Sequence, residues 1–199
     1  MTMRLTLQLL ALAWAALLYV VPARADDVEV TPALVCTVAH ALRQPWQADR
    51  CQAVAAALAT TREPATMLAI AVLETGMRPT KRHLRNGPKV VDVGLLGVAC
   101  RLRRGHCTNW PVRGMTVAEL QDTRTNIEAG ARVLAKKRRI NHARALDFYA
   151  GDLDGSSGYT ANVGAIVAAF SGVELRVESQ RVRELARKIA SAVRRERKS

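Results

Sequence analysis

The sequence predicts a mainly α-helical domain with one small β-hairpin insert directly after its central helix. Three observations predict this. Helix-capping signals recur along the chain, at Thr31-Pro32, at Pro64 with Gly76, and at Thr116-Val117-Ala118-Glu119. Only one stretch, Val90 to Val98, is rich in β-branched residues, and glycines break it at Gly94 and Gly97. The chain has 199 residues, 49% of them hydrophobic and 24% charged, which suits a single globular domain.

Taken in order, residues 1–25 read as a signal peptide. Arg4 supplies the positive start, Leu5 to Val21 is almost unbroken apolar, and Ala23-Arg24-Ala25 is a small-x-small cleavage signal. The rival reading is an uncleaved membrane anchor; Pro22 and the cleavage signal favour removal. The protein is therefore expected to be exported, periplasmic or secreted. Residues 26–173 form the predicted domain. Thr31-Pro32 opens a helix running to about Arg43, Gln44-Pro45 breaks it, and Asp49 is expected to cap a helix from Arg50 to Thr60. Pro64 to Gly76 is a helix that is apolar on every side and so belongs in the middle of the domain. Gly76 to Val91 reads as irregular and basic, and Val90 to Val98 as a short strand or hairpin. The capping box at Thr116 opens a short helix. Asn126 to Arg139 is amphipathic, with Ile127, Ala131, Leu134 and Ala135 expected inward. Ala143 to Tyr149 and Tyr159 to Phe170 are further helices, ended by Gly151 and Gly172 and separated by a polar loop. Residues 174–199 form a basic amphipathic C-terminal helix.

Cys36, Cys51, Cys100 and Cys107 all follow the signal segment, and an even number in an oxidising compartment points to two disulfides. Of the three connectivities, Cys36–Cys51 would tie two short helices and Cys100–Cys107 would close a small loop. A zinc site is the alternative, but no CxxC pair occurs. The scattered His40, His83, His106 and His142 have neither metal spacing nor a nucleophile beside them, so no metal or cofactor is expected.

The net charge of +13 falls to +11 without Arg4 and Arg24 and predicts an acidic partner. Export, the absence of a recognisable nucleic-acid motif and a 4% aromatic content argue against nucleic acid. An anionic membrane or cell-wall surface, held by the basic C-terminal helix and its Arg194-Arg195-Glu196-Arg197-Lys198 end, fits the compartment better. The plainer explanation is a solvated helix face.

Glu74 is the lone carboxylate inside the central helical run and lies in its last turn. Apolar neighbours disfavour the charged form of a carboxyl, and the negative end of the helix dipole acts in the same direction. Such a setting suits a general acid near neutral pH; the alternative is a carboxylate that simply reaches water.

Four segments in order resemble the lysozyme-like lytic transglycosylases of the SLT type, closest to the small enzymes that accompany secretion systems and pili. Ile70-Ala71-Val72-Leu73-Glu74-Thr75-Gly76 matches a helix ending in Glu-Ser-Gly, with threonine for serine. Asp92-Val93-Gly94-Leu95-Leu96-Gly97-Val98 matches the following Gly-Leu-Met-Gln-Ile hairpin, often preceded by an aspartate. Asn126-Ile127-Glu128-Ala129-Gly130 matches an Asn-Ile/Val-x-x-Gly helix, and Asp147-Phe148-Tyr149-Ala150-Gly151 echoes Ala-Tyr-Asn-Ala-Gly, with Tyr159 just after. The likeness covers about residues 31 to 170. Gly97 replaces the hairpin glutamine that helps line the sugar site, and the asparagine of the last motif is missing or replaced by Tyr149.

The resemblance implies a lysozyme-like α+β domain that cleaves the MurNAc-β-1,4-GlcNAc bond of peptidoglycan and leaves 1,6-anhydro-MurNAc ends. It implies Glu74 as general acid and then base, without a cofactor, and substrate contacts from Thr75, Asp92, Gly94, Leu95, Leu96, Asn126, Tyr149 and Tyr159, the two tyrosines bonding either the sugar or Glu74 itself. It also implies peptidoglycan glycan strands as substrate and secretion or pilus machinery as partner. Several of these residues have plainer readings: Asp92 as a turn residue, Asn126 as an N-cap, Leu95 and Leu96 as core, and the tyrosines as buried helix contacts. Two alternatives stay open. A hydrolytic muramidase would use Glu74 and Asp92, and a non-catalytic peptidoglycan-binding or scaffold protein would keep the fold without turnover.

Overall fold

The computed structural model describes residues 28–78, 82–84, 90–151 and 158–171. The expected signal segment, most of the polar loop after Gly151 and the C-terminal helix expected over 174–199 lie outside the described residues. The domain is mostly helical with a small antiparallel sheet, an α-rich α+β architecture.

Helix α1 (Pro32–Ala41) starts where Thr31 Oγ1 accepts the Leu34 amide at 3.2 Å. Helix α2 (Ala48–Ala59) begins two residues before the expected Arg50. Its N-cap is Gln47, and Asp49 lies inside the first turn, its carboxylate taking the Arg50 amide at 2.7 Å. Asp49 is therefore not the cap, although an acid in the first turn still favours the helix dipole. The Cys36–Cys51 disulfide joins α1 to α2.

Helix α3 (Pro64–Thr75) runs through the middle of the domain. Ala65 to Val72 are all buried, and Gly76 closes the helix in the left-handed conformation at φ 60°. It packs against α2 on one side and α7 (Tyr159–Ser171) on another.

The sheet follows. Strands β1 (Arg82–Leu84), β2 (Val90–Val93), β3 (Val98–Arg103) and β4 (His106–Cys107) lie side by side in chain order, each antiparallel to the next. The expected hairpin is β2–β3, closed by residues 94–97 with Val93 opposite Val98. The sheet is larger than the sequence predicts. Residues 82–84, expected to be irregular, pair with 91–93. The segment closed by the Cys100–Cys107 disulfide is itself a tight β-hairpin rather than a plain loop.

Helix α4 (Val117–Gln121) carries the full capping box. Thr116 Oγ1 accepts the Glu119 amide, and Glu119 accepts the Thr116 amide at 2.7 Å, which holds the Glu119 carboxyl below its ordinary range. Helix α5 (Thr123–Ile140) starts one turn earlier than expected, capped by Asp122, whose carboxylate accepts the Thr125 amide at 2.9 Å. Ile127 and Leu134 point inward as expected and Ala131 is half-buried, but Ala135 is exposed. Helix α6 (Ala145–Ala150) ends at Gly151 in the left-handed region and leads, beyond residues 152–157, to α7.

Candidate active site

Glu74 leaves the last turn of α3 half-buried, with Tyr159 and Gly97 beside its carboxylate. The Tyr159 hydroxyl, at the first residue of α7, donates to Oε1 at 2.8 Å. Gly97 faces the other oxygen: a Cβ added there would lie 3.2 Å from Oε2. Gly97 also has φ 58°, a conformation that glycine adopts without strain. The position that holds glutamine in the resembling family is thus one where this chain brings backbone against the carboxylate.

Side chains from three separate segments fasten the 93–97 turn that carries Gly97. Asn126 is fully buried, and its whole amide is committed. Oδ1 accepts the Leu96 amide at 2.7 Å, while Nδ2 donates to the Val93 and Leu120 carbonyls at 2.8 and 3.0 Å. It is the fourth residue of α5 rather than its N-cap. Thr75 shares its hydroxyl proton between the Ala71 and Leu95 carbonyls, at 3.0 and 2.7 Å. The Tyr149 hydroxyl, from α6, donates to the Leu96 carbonyl at 3.1 Å. The bonds to Val93, Leu95 and Leu96 satisfy turn carbonyls and an amide that burial would otherwise leave at a cost.

Two glycines make this closure possible. A side chain at Gly94, where φ is 77°, would run into the Asn126 amide. At Gly130, one turn along α5 from Asn126, a side chain would overlap Leu96. The spacing Asn126-x-x-x-Gly130 therefore presents a clamp and a gap on one helix face.

Leu95 and Leu96, expected to shape the floor of a cleft, are fully buried and belong to the core. Thr75 and Asn126 are buried too, so they act on the site through the turn that they hold. Asp92 lies on β2 opposite Ala99, not in a turn, and shares its face of the strand with Val90 rather than with the buried Val91 and Val93. Burial of the hydroxyl end of Tyr149 pushes its pKa well above the ordinary tyrosine range, and the negative charges of Glu74 and then Asp92 push the same way. Tyr149 thus feels the charge of both carboxylates. It is a neutral donor throughout the physiological range.

One positioning residue escapes the sequence reading. Asp147, buried on α6, accepts the Thr160 amide at 3.2 Å and the Thr160 hydroxyl at 2.6 Å. It anchors the first turn of α7, next to Tyr159. A buried acid one turn from a helix start would be the signal, but the partner lies 13 residues on, across the loop.

The remaining expectations fall as follows. His40, His106 and His142 are exposed, and among the described residues no group of three His, Cys, Asp or Glu side chains could hold a metal. Both disulfides form as expected, which fits an oxidising compartment, and among the described residues no helix is long and apolar enough to cross a membrane. No family model, curated protein or solved structure matches this chain.

Proposed function

We propose that the protein is a lysozyme-like lytic transglycosylase acting on the glycan strands of peptidoglycan, with Glu74 as its acid and base. One observation carries the reading: a half-exposed carboxylate at the end of a buried helix, oriented by the Tyr159 hydroxyl on Oε1 and bordered by bare backbone at Gly97 on Oε2. The hydroxyl donates to one oxygen, and a glycine rather than a side chain borders the other. A carboxyl held this way can deliver a proton to a glycosidic oxygen and then take one back.

In the proposed reaction, Glu74 protonates the oxygen leaving C1 of the muramoyl unit, and that C–O bond breaks. The substrate's own N-acetyl group supports the developing positive charge, so a second enzymic carboxylate is not required. Glu74, now ionised, removes the proton of the muramoyl C6 hydroxyl, whose oxygen bonds to C1 and yields the 1,6-anhydro end. Tyr159 positions Glu74 in both steps, and Tyr149, Asn126 and Thr75 hold the turn beside it.

A second reading has its own support. The charges of both Glu74 and Asp92 raise the Tyr149 pKa, and a hydrolytic muramidase would use two such carboxylates. A binding or scaffold protein is the third reading, motivated by the missing hairpin glutamine at Gly97. Mass analysis of the products released from purified sacculi separates the three. Anhydro-muropeptides that disappear in Glu74→Gln support the transglycosylase. Reducing ends lost in Asp92→Asn support the muramidase, and retention on sacculi without products supports the binding protein.

A further inference from the structure

Helix α3 carries Glu74 at one end. Toward its other end, a cavity of about 700 Å³ opens between the α2–α3 connection and the last turns of α5. Its floor is apolar, made by Met67 from α3 with Ala131 and Leu134 from α5. Its walls are strongly basic. Arg62 comes from the α2–α3 connection and Arg132, Arg138 and Arg139 from α5, against the single carboxylate of Glu63.

That carboxylate is already used. Arg138 Nη2 bonds Glu63, and Arg138 Nη1 lies 3.4 Å from Nε2 of the exposed His142. The Nε of the same guanidinium is buried without an acceptor among the described residues. Arg62, Arg132 and Arg139 are exposed and enter no ion pair among the described residues.

Basic residues in the last turn of a helix are commonplace, because they complement the helix dipole. That accounts for Arg138 and Arg139. It does not account for Arg132, two turns from the end of α5, or for Arg62, which arrives from a different segment. Their convergence on an apolar floor of ligand size is the feature that requires another explanation.

We propose that this cavity binds an anionic amphiphile: a phosphate or carboxylate head among Arg62, Arg132 and Arg139, with an apolar body over Met67 and Leu134. Guanidinium groups suit such heads because they donate in pairs to planar or tetrahedral oxyanions. The floor supplies the affinity that charge alone, screened by salt, does not. The site is independent of the chemistry at Glu74.

The test is calorimetric titration of the full chain with dodecyl phosphate below its micelle concentration, with inorganic phosphate, and flotation with phosphatidylglycerol vesicles. The Arg132→Gln/Arg139→Gln double variant and Ala135→Glu, all at exposed positions, are compared with the wild type, and thermal melts confirm that they fold. Dodecyl phosphate is expected to bind the wild type and to lose at least about tenfold in affinity in either variant, since each removed or opposed charge-assisted contact is worth about 1.5 kcal/mol or more. Inorganic phosphate is expected to bind more weakly than dodecyl phosphate. Vesicle flotation lost in the same variants assigns the head group to a membrane lipid; flotation unchanged in them assigns it to a free ligand. Dodecyl phosphate that fails to bind the wild type, or binds all three proteins equally, overturns the site. Inorganic phosphate binding as tightly as dodecyl phosphate overturns the role of the apolar floor.

Discussion

The Tyr159 hydroxyl meets Glu74 Oε1 at 2.8 Å across 85 residues of sequence, joining the start of α7 to the end of the buried helix α3. Tyr159 itself is fully buried, so its ring holds the hydroxyl in place by packing. In Tyr159→Phe the ring remains and the donor goes. A hydrogen bond to a charged acceptor is worth about 1.5–3 kcal/mol. Muropeptide release should therefore fall about ten- to a hundredfold in kcat/KM, with the thermal midpoint little changed. Release at the wild-type rate would remove Tyr159 from the mechanism.

Gly97 is expected to reject side chains. Alanine there must adopt φ near 58°, which costs about 1–2 kcal/mol, and its Cβ would press on the Glu74 carboxylate. Gly97→Ala should lose that stability in urea denaturation and also lose about tenfold or more in turnover, because small displacements of a reacting group are costly. Gly97→Gln, which introduces the residue of the resembling family, should do no better. A gain in activity would mean that the turn relaxes and the new side chain adds a sugar contact.

Asn126→Ala would strand the Leu96 amide and the Val93 and Leu120 carbonyls in the core. The expected destabilisation is about 3 kcal/mol or more, large for a single polar substitution. Equilibrium denaturation measures it directly. A loss under about 1 kcal/mol would show that the turn holds its shape without this clamp.

Tyr149 gives the stability an alkaline limit. Its folded-state pKa is raised, so its contribution is complete below the ordinary tyrosine value and is lost as pH climbs from there toward the folded value. In Tyr149→Phe the bond to Leu96 disappears, costing about 1 kcal/mol at neutral pH. The gap between wild type and variant should then narrow above about pH 10, where the unfolded tyrosine ionises. Parallel curves through that range would contradict the burial of the hydroxyl.

Local chemistry made much of this fold readable. Thr31, the Thr116 capping box, Pro64 and Gly76 each mark an element by their own conformational preference, and each stands where the chain pattern puts it. What escaped depends on partners. Residues 82–84 are a strand because 91–93 offer them a ladder, and nothing in the basic stretch itself announces that. Asn126 looks like a cap, but Asp122 reaches the first turn of α5 and frees the asparagine for the 93–97 turn. Ala135 fits the inward stripe by spacing, yet the floor beside it is open and it remains exposed. The fastening of Glu74 was only partly readable: Tyr159 stands out as a donor for the carboxylate, but Gly97 and Asp147 acquire their roles only when distant segments meet.

The 93–97 turn has few bonds of its own: within it, Gly97 N reaches Gly94 O at a long 3.3 Å. Its shape is borrowed from Thr75, Asn126 and Tyr149. The hairpin is therefore not a portable part. Transplanted into another scaffold, residues 90–103 would carry the glycines but not the geometry, and the smallest unit able to present Glu74 in this pose spans α3 through α7.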